Sequence, residues 1–255
     1  MSGRKTFILT GAAGGLGSQV VRQFADRNVN LLCVDRDADN LRKVQESVQV
    51  DAEADIQTCV ADVTQKADVQ RYVQVAVDTW GGIDGAFHVA GWEGAMREFI
   101  DIDIDEFDTM MAVNARSVWY GMKFVLPELL KRGGGRIVNT GSYVAFHGTL
   151  RTSAYGAAKH AVVGMSRGVA REQAANNIAI NVLAPGGMDT RMIRTVWDRH
   201  APGDPERGRQ IALANVPAKK IGDPADVAAV GIWLLTEAPV HLTGQIIPVD
   251  GGTSI

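Results

Sequence analysis

Cysteine is scarce: Cys33 and Cys59 are the only two in 255 residues. They lie apart, each in a short apolar segment, and form neither a disulfide framework nor a metal motif. Both are expected to be small buried residues in a reducing compartment. Long apolar runs are also missing; none approaches the ~18 residues that would span a membrane. The start, MSGRKTFILTGAAGG, lacks the layout of a signal peptide, so a cytoplasmic location is expected. There is no excess of basic charge either. A net charge of −3 is not the footprint of a phosphate-backbone binder, so neither nucleic acid nor membrane is an expected partner. Hydrophobic residues at 46% and charged residues at 22% are ordinary for a globular chain. A single α/β domain absorbs this length.

What is present is alternation. Apolar strand-like runs occupy residues 6–10, 30–35, 56–60, 84–89, 136–140, 179–183 and 245–249. Between them, helical periodicity covers 16–27, 40–48, 68–80, 107–131, 154–175 and 225–235. Runs such as FILT, NLLCV and RIVNT are short and largely apolar without strict alternation, which fits strands buried on both faces. The alternation predicts one doubly wound α/β domain on a seven-stranded parallel sheet. Residues 186–221 break the rhythm, and a connection that long is usually functional. Within it Met192, Ile193, Val196 and Trp197 mark a short amphipathic helix, ended by Pro202-Gly203-Asp204-Pro205.

The first strand runs into Thr10-Gly11-Ala12-Ala13-Gly14-Gly15-Leu16-Gly17, and a helix follows. Such a loop lets backbone N–H groups and a helix N-terminus meet a pyrophosphate. Alone it is a weak signal. The second strand ends in Asp35, placed to take the ribose hydroxyls of an adenosine, or to cap the next helix. Asp62, ending the third strand, is open to the same two readings.

Tyr155 and Lys159 are four apart on a helical segment and so share a face. A free tyrosine, with a pKa near ~10, is a poor base at neutral pH. A neighbouring ammonium would stabilise its phenolate. That spacing arises often by chance, and a surface pair would satisfy it equally. Ser142 follows the fifth strand at its C-terminal end, where open α/β sheets bind ligands. Asn114 lies mid-helix, where asparagine is a poor helix former; it either faces solvent or does something specific.

Taken together these residues resemble the short-chain dehydrogenase/reductase family over essentially the whole chain. The loop 10–17 fits its T-G-x-x-x-G-x-G, and Asp62-Val63 looks like its adenine-binding pair. Asn114, Ser142, Tyr155 and Lys159 match its catalytic tetrad in order and spacing. Asn181-Val182-Leu183-Ala184-Pro185-Gly186, with Met188 and Thr190 beyond, resembles its nicotinamide segment. Asp250-Gly251-Gly252 looks like its C-terminal ending. The family's usual Asn-Asn-Ala-Gly is here His88-Val89-Ala90-Gly91, which keeps the Ala-Gly but not the amide side chains. His88 is expected to be a structural replacement.

The resemblance implies a Rossmann-fold oxidoreductase moving a hydride between a nicotinamide cofactor and an alcohol or ketone. Tyr155 would move the proton, Ser142 would orient the substrate oxygen, and Lys159 would hold the nicotinamide ribose and depress the phenol pKa. Asn114 would hold a water. The cofactor would lie on Gly11, Gly15, Leu16, Gly17, Asp35, Arg36, Asp62, Val63, Ala90, Gly91, Tyr155, Lys159, Pro185, Gly186, Met188 and Thr190. NAD is expected over NADP, because Asp35 would accept from a 2′-hydroxyl and repel a 2′-phosphate; Arg36 beside it works the other way. A homotetramer is implied, and residues 188–218 are expected to form a substrate lid. Trp92, Val144, Met192 and Trp197, with Ser142 and Tyr155, would bind a compact alicyclic or aromatic secondary alcohol or ketone. The stretch 91–94, with Asn215-Val216-Pro217 and Lys219, is similar to enzymes of cyclic ketones and diols. An NADPH-dependent 3-oxoacyl thioester reductase and a non-catalytic dinucleotide-binding regulator are the alternatives.

Overall fold

The computed structural model describes residues 3–48, 54–214 and 216–255. Seven strands form one sheet: β1 (Lys5–Thr10), β2 (Val29–Asp35), β3 (Asp55–Val60), β4 (Gly85–His88), β5 (Gly135–Thr140), β6 (Ile178–Pro185) and β7 (Ile246–Val249). Their order is β3-β2-β1-β4-β5-β6-β7, and every pairing is parallel. The helices are α1 (Gly15–Phe24), α2 (Ala38–Glu46), α3 (Lys66–Trp80), α4 (Ile104–Met111), α5 (Ser117–Arg132), α6 (Ser153–Gln173), α7 (Arg191–His200), α8 (Pro205–Ala214) and α9 (Pro224–Thr236). This is the doubly wound single domain read from the sequence. Among the described residues no helix is long and apolar enough to cross a membrane.

Successive strand residues point to opposite faces, so each apolar run feeds two cores. Phe7, Leu9 and Leu31 pack with Val20 and Phe24 of α1 and Val227 and Ile232 of α9. Ile8, Leu32 and Ile137 pack with Tyr72 of α3, Met122 and Leu129 of α5 and Val162 of α6. Local chemistry sets the helix ends. Asp37 accepts from the Asn40 N–H at the start of α2. Asp223 accepts from the Ala225 N–H, with Pro224 supplying the first turn of α9. Gly133 closes α5 in a left-handed conformation.

Two elements differ from the sequence reading. The expected helix over 107–131 is α4 and α5 joined through a π-helical turn, Ala112–Arg116, with Asn114 at its centre. Such turns are frequent at functional sites. The long connection holds not one helix but the hairpin α7–α8: the first ends at His200, before the Pro202-Gly203 turn, and Pro205 starts the next. Asn215 lies outside the described residues.

The sheet places the site. After β3 the chain returns to the other side of β1, so β1 and β4 flank the point where the strand order reverses. Ligands of open α/β sheets bind outside the strand ends there. Gly11 shows how close the two loops come. Its φ is +72°, and a Cβ on it would lie 2.6 Å from the Ala90 nitrogen.

Candidate active site

A cleft of about 860 Å³ opens at the C-terminal ends of the strands. One end is floored by the loop after β1. There Gly17 has no room for a Cβ, which would overlap the Gly11 carbonyl oxygen. A Cβ on Gly15 would stand 2.6 Å from Cγ2 of Thr190, so glycine lets the strand-6 connection close over the loop. Asp35 accepts hydrogen bonds from the Ala13 N–H at 2.9 Å and the Asp37 N–H at 3.1 Å. It therefore tethers the glycine loop while lining the cleft, with Arg36 beside it. Asp62 also lines the cleft, and it accepts from both the N–H and the hydroxyl of Thr64. The capping reading of Asp62 does not hold: Gln65 is the N-cap residue of α3, and Asp62 instead closes a turn on Thr64 ahead of the helix. Leu16, Val63, Ala90, Gly91, Pro185, Gly186, Met188 and Thr190 complete this part of the wall. Glycines without room for side chains, a helix N-terminus and a carboxylate at the end of β2 fit a dinucleotide. So does the Thr140 hydroxyl, buried at the cleft with no partner among the described residues.

The other end gathers the candidate catalytic residues. Ser142, on the turn after β5, lies in the cleft with the Tyr155 phenol from α6, close enough to pull its pKa down. Lys159 lies one turn further along α6 and is buried. Its ammonium donates to the Thr140 carbonyl at 2.9 Å and sits 5.5 Å from the Tyr155 ring centroid. Burial brings the Lys159 pKa down to about 8. Burial pushes the Tyr155 phenol up to about 12; Ser142 pulls it down, while Glu93 and Tyr143 add to the rise. This corrects the expected depressed phenol. Desolvation of the phenol dominates, and the Lys159 ammonium is engaged with the Thr140 carbonyl. At neutral pH the protein alone therefore presents a neutral phenol, fit to donate a proton.

Asn114 is fully buried and does not face solvent. Its Nδ2 donates to the Trp92 carbonyl at 2.7 Å and to the Met110 carbonyl at 3.2 Å; its Oδ1 accepts from the Trp92 N–H at 3.1 Å. The amide thus clamps the backbone after β4 at the cleft wall. The expected water-holding role would have to share an amide already engaged there.

Two expected substrate contacts are not brought to the cleft. Val144 is buried behind Ser142. Trp197 is turned inward in the α7–α8 hairpin, where its backbone carbonyl abuts Gly208. Close packing of the two helices takes the indole that a single helix would have offered to substrate. Trp92 and Met192 do line the cleft. His88 stays out of it: its Nδ1 bonds Asn139 Oδ1 at 2.7 Å and its Nε2 presses on Gly121 of α5. Sequence reasoning missed Thr140, whose contribution is a backbone carbonyl. Glu93, within the stretch 91–94, was given no role of its own, although it lines the cleft.

The family model described as enoyl-(acyl carrier protein) reductase matches residues 11–254. A levodione reductase of Leifsonia aquatica is 33% identical over 98% of this chain and 94% of its own length. A 3-oxoacyl-[acyl-carrier-protein] reductase of Thermotoga maritima is 31% identical, covering 98% of both chains. A 2,5-dichloro-2,5-cyclohexadiene-1,4-diol dehydrogenase of Sphingobium indicum is 29% identical over 98% of this chain and 96% of its own. The crystal structure of a levodione reductase superposes with a TM-score of 0.94 at 32% identity, covering 98% of this chain and 97% of that one. With this coverage, the chain belongs to the short-chain dehydrogenase/reductase family of oxidoreductases acting on alcohols and ketones.

Proposed function

We propose that the protein is an NAD-dependent oxidoreductase of a compact alicyclic or aromatic secondary alcohol or ketone. The observation that carries this is the meeting of Ser142, Tyr155 and Lys159 at one end of a cleft whose other end is a glycine loop under Asp35. A bound nicotinamide would supply the hydride donor or acceptor. Tyr155 Oη gives its proton to the substrate oxygen in reduction and takes it back in oxidation. Ser142 Oγ donates to the same oxygen and fixes its distance from the phenol. Lys159, pinned to the Thr140 carbonyl, would hold the nicotinamide ribose. Asn114 acts by fixing the Trp92 backbone on which the substrate ring rests.

The wall beside Tyr155 is apolar where Trp92 and Met192 stand, which suits a small ring. The similarity to the levodione reductase and the cyclohexadiene-diol dehydrogenase supports that class. The similarity to the acyl-carrier-protein reductase supports the second reading, a 3-oxoacyl thioester reductase using NADPH. Comparing kcat/KM for cyclohexanol and cyclohexanone with that for an acetoacetyl thioester, each with both cofactors, separates them. The ring compounds with NAD(H) are expected to win; a much higher value on the thioester overturns the proposal. Residues 188–218 act as a lid that moves as the α7–α8 unit. The working form is a homotetramer: Trp119 on α5, 48% exposed, leaves an apolar face that its own subunit does not cover.

The cofactor preference rests on Asp35. Asp35→Ala is expected to lower the NAD-to-NADP ratio of kcat/KM by about tenfold or more, the worth of a hydrogen bond to a charged group. The variant also frees the Ala13 N–H and loosens the glycine loop. That loss falls on both cofactors, so the ratio is the readout. An unchanged ratio would refute the role.

A further inference from the structure

Four carboxylates line the cleft: Asp35, Asp37, Asp62 and Glu93. The three aspartates are engaged. Asp35 accepts from Ala13 and Asp37, Asp37 caps α2 through Asn40, and Asp62 holds Thr64. Glu93 makes no hydrogen bond or ion pair among the described residues, although it is half-buried. Burying part of a carboxylate without a partner costs free energy unless a ligand supplies a donor.

The segment that carries Glu93 is held on both sides. Asn114 grips Trp92 at its N–H and its carbonyl. Glu106 of α4 accepts from the Ala95 N–H at 2.8 Å. Gly94 takes φ +64° against Met110, a turn that an L side chain would strain. Glu93 is thus a preorganised carboxylate on the substrate side, near the Tyr155 phenol. A cationic ligand group would meet Lys159 and Arg191 in the same cleft. A neutral hydroxyl meets no such opposition.

We propose that Glu93 sets substrate specificity, its carboxylate accepting a hydrogen bond from a second hydroxyl so that diols and hydroxyketones are preferred to mono-alcohols. The inference rests on the alcohol/ketone reading above and narrows it to substrates with two oxygens. It has a second consequence. The charged or titratable groups facing Tyr155 are Glu93 from the loop after β4, Tyr143 from the turn after β5 and Lys159 along α6, with Arg191 lining the same cleft from α7. Burial is the main force raising the phenol, and the Glu93 charge adds to it. Removing that charge moves alcohol oxidation, which needs the phenolate, to lower pH.

The test pairs each mono-alcohol with its diol in the full-length protein with NAD: cyclohexanol with cyclohexane-1,2-diol, and butan-2-ol with butane-2,3-diol. An acetoacetyl thioester is run beside them. Glu93→Ala is expected to cut the diol-to-mono-alcohol ratio of kcat/KM about tenfold. Glu93→Gln, which keeps an acceptor and loses the charge, should hold most of that ratio while its kcat–pH profile moves to lower pH. Diol preference in the open-chain pair alone would defeat the alicyclic reading and uphold Glu93. A diol preference that is absent, or that survives Glu93→Ala, overturns the proposal and leaves the ring reading standing. Turnover of the thioester alone overturns both.

Discussion

Tyr155→Phe is expected to lower kcat by a factor of about 10²–10⁴, the usual worth of a positioned general acid or base. Cofactor affinity should stay within a few-fold, because the ring still packs at the start of α6 while only the hydroxyl is lost. The raised phenol pKa sharpens the expectation. A phenol held up at about 12 by burial stays protonated, and so available to donate, but offers little phenolate to act as base in the protein alone. Ketone reduction by the wild type should therefore hold its rate from neutral pH up to about pH 8. Lys159 bounds that range, because its pKa of about 8 puts loss of the ammonium at its upper end. Steady-state kinetics and a fluorescence titration of the reduced cofactor read both halves. Substantial turnover by the phenylalanine variant would remove Tyr155 from the chemistry.

The second large effect concerns stability in acid and arises at His88. The imidazole is buried, bonded to Asn139 through Nδ1, and its Nε2 meets Gly121 with no partner among the described residues. Burial lowers its pKa to about 4 from 6.5, against a smaller opposing contribution from Asn139. The unfolded chain takes up a proton below 6.5, and the folded chain refuses it until about pH 4. The stability is therefore complete above 6.5 and is lost as pH falls through the window between the two values. At about 1.4 kcal/mol per pKa unit this is roughly 3 kcal/mol. His88→Asn cannot titrate, so its curve of unfolding free energy against pH should be flatter than wild type between pH 6.5 and 4. Denaturant titrations across that range measure both slopes. Parallel curves would show that His88 takes its proton without unfolding.

The parts of this molecule legible in the sequence are those written in local spacing. Most strands declared themselves because they are apolar on both faces, and the loop 10–17 because its glycines fall within a few residues. Asn114, Ser142, Tyr155 and Lys159 were found as a set, in order along the chain. What they do in space was less legible. Asn114 reads as a misplaced asparagine, yet its buried amide is spent on the backbone of Trp92, 22 residues away. No local pattern marks the π-helical turn that aims it there. Lys159 was expected to act on the phenol; its strongest bond is to the carbonyl of Thr140, and carbonyls leave no trace in a sequence. Trp197 failed as a pocket residue because α8, hidden behind a proline-glycine run, packs against α7. The match of His88 to Gly121 joins a strand to a helix 33 positions later, and either residue alone gives no hint of the other.

The central claim is that this cleft moves a hydride directly between a substrate carbon and nicotinamide. Cyclohexanol or cyclohexane-1,2-diol deuterated at the carbinol carbon, incubated with NAD and the protein, tests it in one step. Mass analysis of the reduced cofactor should show one deuterium on the nicotinamide with the wild type, formed about 10²–10⁴ times more slowly with Tyr155→Phe. Reduced cofactor free of deuterium, or none at all from a protein that binds NAD, would contradict the account.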